Sequence, residues 1–158
     1  MKIPSNWTFE NTEVAKNFNR HVREQLPFYD LATNAITHIA RHYVPEDGLV
    51  YDIGASTGNI GKSITELLKD RNAKLIALEK STEMVKKYDC KIGELINIDA
   101  VKYNFKPHNL AIFYLVLMFV PVDKRIELIT KVYDKLIKGG AIIIFDKDES
   151  TMITKKLG

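Results

Sequence analysis

Asp52, Glu79 and Asp99 stand at the carboxyl ends of three successive apolar runs, "LVYDI", "AKLIALE" and "ELINID". A carboxylate offers only acceptors and a negative charge, so acids at neighbouring strand ends are suited to a ligand rich in hydroxyl and amino groups. Between the first two acids lies "GASTGNIG", with Gly54, Gly58 and Gly61. Glycine lets the backbone turn at positive φ and approach a ligand closely, and the helix that follows begins with unpaired N–H donors. A nucleoside-like ligand fits this combination. Glu79 follows the glycines by about 20 residues, the interval at which a nucleotide fold places the acid that accepts from both ribose hydroxyls. Asp99, one strand later, can accept from an adenine amino group. Each feature has a plainer explanation: a glycine turn that only turns, a carboxylate favoured by the dipole at the start of a helix, an acid suited to a turn. Three strand-end acids in succession are much rarer by accident than any one of them.

The stretch "VYDIGASTGNIGKS" also has a second reading, because it ends in GKS. A phosphate-cradling P-loop needs G-x-x-x-x-G-K-[ST]; Gly61, Lys62 and Ser63 fit, while Ser56 occupies the first glycine position. "AIIIFD" then resembles the apolar strand and magnesium-binding acid of a nucleotidase, with Asp146 as the acid. This alternative leaves Glu79 and Asp99 unexplained. No metal site is expected, since His21, His38, His42 and His108 are widely spread and Cys90 is the single cysteine.

The elements that must carry these residues show in the alternation of apolar runs with longer amphipathic segments, a pattern of parallel strands joined by helices. Five strands are expected, at "LVYDI", "AKLIALE", "ELINID", "LAIFYLVL" and "GAIIIFD". Helices should start near Asn59, Ser81 and Val122. The last, "VDKRIELITKVYDKLIKGG", places Ile126, Ile129, Val132, Tyr133 and Leu136 on one face, with Gly139 and Gly140 as its stop. Before the strands, "EVAKNFNRHVREQLPFYDLATNAITHIARHYV" reads as two helices divided near Pro27. The expected fold is α/β, a Rossmann-like, doubly wound, mostly parallel sheet of about five strands with N-terminal helices. Ligands of such sheets bind beyond the carboxyl ends of the strands, where strand order reverses.

With 158 residues, 46% hydrophobic and 27% charged, the chain reads as one ordinary soluble globular domain. Residues 1–45 would form a helical cap, 46–149 the core and 150–158 a tail. No apolar run reaches the roughly 18 to 20 residues of a membrane span, and the N-terminal segment does not resemble a secretory signal, so the expected location is cytoplasmic. The net charge of +3 permits nucleic acid as a partner without arguing for it.

Together these residues resemble the class I S-adenosylmethionine (SAM)-dependent methyltransferases, and among them the carboxy-S-adenosylmethionine synthase family, which serves wobble-uridine modification in tRNA. The resemblance runs from about Phe9 to Glu149 and rests on "EVAKNF", "LPFYD", "VYDIGASTGNIGKSI", "LIALEKSTEMV" and "KVYDKLIKGGAIIIFDK". It implies SAM as cofactor, held by Tyr29, Asp52, Gly54, Ala55, Ser56, Gly58, Glu79, Lys80, Asp99, Ala100 and Tyr114. Asp52, Gly54 and Gly58 would shape the methionine and ribose side, Glu79 would hold the ribose, and Asp99 and Ala100 would border the adenine. Tyr114 would lie beside the sulfonium, and Tyr29 would close over it. Two departures accompany the resemblance: Tyr114 replaces a small polar residue, and the family's final strand pair is absent from this chain.

That second departure makes "AIIIF" an exposed apolar sheet edge, which proteins ordinarily cover or pair. A homodimer, another partner protein, or covering by "STMITKKLG" is therefore expected. Two functions from different classes stay open: a methyltransferase of unknown acceptor, and a non-catalytic SAM-binding or interaction module derived from such an enzyme. Carboxy-SAM synthesis and nucleotide hydrolysis are lesser alternatives. No side chain reads as a clear general base, although Tyr114, Asp146 and Lys147 lie where an acceptor would approach.

Overall fold

A computed structural model of the chain describes residues 12–147. Helix α1 (Thr12–Gln25) and helix α2 (Tyr29–Ala40) precede strand β1 (Leu49–Ile53). Then follow α3 (Asn59–Ser63), α4 (Thr65–Asp70), β2 (Lys74–Glu79), α5 (Thr82–Val85), β3 (Glu94–Asn97), β4 (His108–Tyr114), α6 (Val122–Asp134) and β5 (Leu136–Phe145). The strands form one sheet in the order β3-β2-β1-β4-β5, and every neighbouring pair is parallel. The chain winds outward from β1 to β3, then returns to the other side of β1 with β4. The reversal thus lies between β1 and β4.

Alternation along the central strands feeds two cores. Val50, Leu75, Leu110 and Ile112 face α1 to α4, meeting Phe18 and Val22 of α1 and Tyr29, Ala32, Ile36 and Ala40 of α2. Tyr51, Ile53, Ile76, Leu78, Ala111 and Phe113 face the opposite side, against Leu128 and Val132 of α6. Side chains two apart share a face of a strand, so Asp52 lies on the same face as Val50, beneath the N-terminal helices. α2 buries residues at helical spacing, while its outer positions Asn34, Ala35 and His38 are exposed.

Several expected boundaries move. The helix at Asn59 is interrupted at Ile64, giving α3 and α4. β4 ends at Tyr114, because Leu115 takes φ +57° and a 3-10 turn occupies Leu117–Phe119. The largest correction concerns α6: it ends at Asp134, and Gly139 and Gly140 lie within β5 instead of stopping the helix. There they absorb a register shift opposite His108 to Leu110; Gly139 has φ +86°, and a Cβ on Gly140 would come within 2.6 Å of the Asn109 carbonyl oxygen. The inward face of α6 is only partly the expected one: Val132 is buried and Ile129 packs against the core as expected, and Leu128 joins them in place of Ile126 and Tyr133. Leu128 and Val132 are buried, whereas Ile126 is 78% exposed and Tyr133 67%. The helix carries more apolar positions than it can bury, and its seat against β4 and β5 selects among them.

β5 is an edge strand with Ile137, Ile144 and Phe145 exposed, and the outer stripe of α6 exposes Val122, Ile126 and Tyr133. The tail expected to cover this edge lies outside the described residues. Among the described residues no helix is long and apolar enough to cross a membrane.

Candidate ligand site at the strand ends

The turn after β1 is built by hydrogen bonds to β2. Gly54 and Ala55 both donate their N–H groups to the Leu78 carbonyl, at 2.8 and 2.9 Å. Gly54 has φ +69°, and a Cβ there would lie 2.1 Å from Val116 Cγ2, so neither its conformation nor its surroundings accept a side chain. Gly58, at φ +91°, opens α3 and lies 3.0 Å, measured from an ideal Cβ, from Tyr88 and Cys90. Its place is beneath the turn, and it lines neither of the cavities described below.

Glu79 ties this turn to the next. One carboxylate oxygen accepts the Ser56 N–H at 2.8 Å and the other the Ser81 N–H at 2.9 Å. Burial raises its pKa, opposed by these backbone donors. Ser81 caps α5 in turn, accepting the Met84 N–H on its hydroxyl. Asp52 is 1% exposed, and its Oδ2 has no hydrogen-bond partner among the described residues. Burial, with the Glu79 charge second, pushes its carboxyl up to about 7. A buried carboxylate oxygen without a partner is costly, and a cationic ligand group would relieve it.

Two cavities meet over this turn. A chamber of about 290 Å³ lies between the N-terminal helices and the ends of β1 and β4, with Phe18, His21, Val22, Tyr29, Asp52, Ala55, Asn59, Tyr114, Met118 and Lys147 among its lining residues. A slot of about 60 Å³ runs along the ends of β2 and β3, bordered by Glu79, Lys80, Ile98, Asp99, Ala100, Val101, Val116 and Pro121. Gly54, Ser56, Leu115 and Phe119 line both. Asp99 also caps the 3-10 turn Ala100–Lys102, accepting the Val101 N–H at 3.0 Å. The slot's lining combines apolar side chains such as Ile98, Val101, Val116 and Pro121 with the acids Glu79 and Asp99, a mixture that suits a nucleoside.

Tyr29 and Tyr114 stack at the chamber's inner wall with centroids 5.1 Å apart. The Tyr114 phenol donates to the Tyr29 carbonyl, so this hydroxyl is committed to α2, not directed at a ligand. The Tyr29 phenol accepts from Asn59 Nδ2 at 2.8 Å, and Asn59 also donates to Asn19 Oδ1. Burial pushes the Tyr29 phenol up to about 12 and raises that of Tyr114, so both stay neutral.

The GKS end of the glycine stretch does other work. The Lys62 ammonium pairs with Asp89 at 2.7 Å, and the Ser63 hydroxyl donates to the Ile60 carbonyl. Asp146 accepts two backbone N–H groups, from Met118 and Lys147. Lys62, Ser63 and Asp146 line neither of the two cavities, so the residues of the P-loop reading are not brought to the site. Among the described residues no group of three His, Cys, Asp or Glu side chains is placed to hold a metal ion. Phe18, Met118 and Phe119 were not legible as site residues: Phe18 reads as helix core, and "LVLMF" reads as more strand.

No protein-family model matches the chain. It is 34% identical over 148 residues to the carboxy-S-adenosyl-L-methionine synthase of Staphylococcus epidermidis, covering 91% of this chain and 64% of that protein. The enzyme of the same name from Shewanella piezotolerans is 26% identical over 151 residues, covering 90% and 62%. The chain therefore spans less than two thirds of the length of the curated relatives it matches. Among solved structures, a putative SAM-dependent methyltransferase from Methanococcus maripaludis superposes with a TM-score of 0.67 at 18% identity, over 92% of this chain and 68% of that one. That likeness shows the fold.

Proposed function

The chain has the fold of the class I SAM-dependent methyltransferases and resembles the carboxy-S-adenosyl-L-methionine synthases over nine-tenths of its length, and from this we propose that it binds SAM as a SAM-dependent transferase. The observation that carries the reading is the unpartnered Asp52 Oδ2 in a chamber that shares Gly54 and Ser56 with a slot bordered by Glu79 and Asp99. The residues present fit such a ligand. Glu79 keeps a second lone pair on each carboxylate oxygen for ribose hydroxyls, Asp99 and Ala100 border the adenine, and Asp52 takes a positive charge at the floor of the chamber. SAM supplies a one-carbon group on a positively charged sulfur, already activated as a leaving group. The protein's own contribution is then chiefly orientation and exclusion of water. Phe18, Val22 and Met118 keep the chamber apolar, and Lys147 at its lining offers one cation to an acceptor.

Calorimetric titration with SAM, S-adenosylhomocysteine and ATP tests the reading. Binding of the first two is expected; binding of ATP alone overturns it. A non-catalytic SAM-binding module is the second reading, and SAM binding without turnover on RNA, protein or small acceptors would establish it. Incubation with SAM and prephenate, followed by mass spectrometry, tests carboxy-SAM synthesis. The exposed apolar residues of β5 and α6 support a homodimer or another protein partner at that edge. Sedimentation of Ile126→Lys against the unaltered chain tests this: an unchanged, monomeric profile for both removes self-association.

A further inference from the structure

The loop from Leu115 to Pro121 forms a shared boundary of the two cavities, and its backbone is held by side chains from two other elements. Met118 is the centre of this arrangement. Its N–H donates to Asp146 Oδ2 at 3.2 Å, and its carbonyl accepts from Arg125 Nη2 at 3.4 Å. Arg125, in the first turn of α6, also donates from Nε to the Val120 carbonyl at 3.0 Å. Asp146 follows β5 directly, and its other oxygen accepts the Lys147 N–H at 2.8 Å. Both polar groups of one peptide position are thus tied by opposite charges arriving from opposite ends of the α6–β5 unit. The loop needs such support: Leu115 sits at φ +57°, a conformation unfavourable for a branched side chain, and its N–H is held by the Phe145 carbonyl at 2.7 Å.

What the clamp positions is specific. Met118 lines the chamber, Val116 and Pro121 line the slot, and Leu115 and Phe119 line both. Val116 packs against Gly54, the residue over which the two cavities meet. A ligand that occupies only the slot touches the loop on one side, whereas a ligand reaching from slot to chamber must pass between the loop and the Gly54–Ser56 turn.

We infer that Arg125 and Asp146 are positioning residues that set the width of the passage between slot and chamber, and so discriminate ligands that span both cavities from ligands that fill the slot alone. The inference rests on the proposed SAM site for the identity of the spanning ligand. Neither residue touches the ligand; both act through the backbone of Met118 to Val120.

The test compares adenosine, which would lie at the slot and the Gly54–Ser56 turn without reaching along the chamber, with S-adenosylhomocysteine, which would extend from the slot into the chamber. In Arg125→Ala and Asp146→Ala the dissociation constant for S-adenosylhomocysteine should rise roughly tenfold, while that for adenosine changes by less than about threefold. Asp146→Asn keeps an acceptor oxygen for the Met118 N–H and should restore S-adenosylhomocysteine binding. Arg125→Lys, with one nitrogen in place of two, should fall between Arg125→Ala and the unaltered chain. Equal weakening of both ligands, unchanged S-adenosylhomocysteine binding, or failure of Asp146→Asn to rescue overturns the inference. Hydrogen exchange provides a ligand-independent measurement. The amides of Met118, Phe119 and Val120 should lose protection in both alanine variants while the β1 and β4 amides keep theirs, and unchanged loop protection overturns the clamp. If the unaltered chain binds neither ligand, the SAM reading fails, and the exchange data still decide whether the clamp exists.

Discussion

The phenol of Tyr114, at the end of β4, donates a 2.7 Å hydrogen bond to the main-chain carbonyl of Tyr29, the first residue of α2, while the two rings stack at 5.1 Å. This one contact joins the N-terminal helices to the centre of the sheet, over the chamber. Thr33, one turn further along α2, places its hydroxyl 2.9 Å from the same phenol oxygen. The helical cap is therefore fastened at the ligand site itself.

Tyr114→Phe keeps the stacked ring and removes the hydroxyl. A buried carbonyl loses a donor, so the expected loss is about 1 kcal/mol of unfolding free energy, read by urea denaturation. Tyr114→Ala also empties the ring's volume and should cost roughly 3 to 5 kcal/mol. A phenylalanine variant as stable as the unaltered chain would show that the phenol does not fasten the cap.

Gly54→Ala places a methyl group 2.1 Å from Val116 Cγ2 at a residue with φ +69°. The clash and the backbone strain together should destabilise by about 2 kcal/mol or more, and S-adenosylhomocysteine binding should be lost. Adding Val116→Ala relieves the clash but not the strain, so thermal unfolding of the double variant should recover only part of the difference.

Asp52 makes stability and binding depend on pH in opposite directions. Its folded pKa of about 7 is raised above the ordinary carboxyl value of 3.8, so between these values the native state holds a proton that the unfolded state has released. Its contribution is fully present below about pH 4 and is lost as pH rises through 7. Glu79 shares the sign of the effect, and the nearby phenols of Tyr29 and Tyr88 stay protonated in this range. Denaturation of Asp52→Asn should show a flatter pH dependence across this window. A cationic ligand needs the ionised form, so SAM affinity should rise from pH 5.5 to 7 with proton release, detected by calorimetry in buffers of different ionisation enthalpy. Binding without proton release would separate Asp52 from the ligand's charge.

His108 acts on the acid side. Its ring is enclosed by Tyr51 and Phe105, its Nδ1 meets the Lys106 carbonyl at 2.8 Å, and its Nε2 has no partner among the described residues. Burial lowers its pKa below 6.5, so the stability tied to its neutral form is present above that value and lost as pH falls. NMR titration of the His108 ring should give a midpoint below that of a free histidine, and a midpoint above it would contradict the burial.

Much of this architecture is legible in the chain itself. "LVYDI" is a strand with the expected bounds, the break near Pro27 separates α1 from α2, and Ser81 caps a helix as its type and position imply. These are local matters of propensity, capping and apolar runs. Asp52 and Glu79 stand at neighbouring strand ends because β1 and β2 pair in parallel, and Asp99 follows two residues after β3, which ends at Asn97 and not at Asp99 as "ELINID" implies.

What the tertiary structure decided is whatever depends on which element lies against which. α6 carries more apolar positions than it can bury, and its seat against β4 and β5 kept Val132, added Leu128 and left Ile126 and Tyr133 outside. "KGG" reads as a helix stop, yet pairing of Leu136 and Ala141 with β4 on either side carries it into a strand as a register shift. Glu79 and Asp52 are equally acidic in sequence; the fold surrounds one with two backbone donors and leaves the other's inner oxygen without any. Hydrogen-bond partners brought together from distant segments set that difference, and no periodicity in the chain records it.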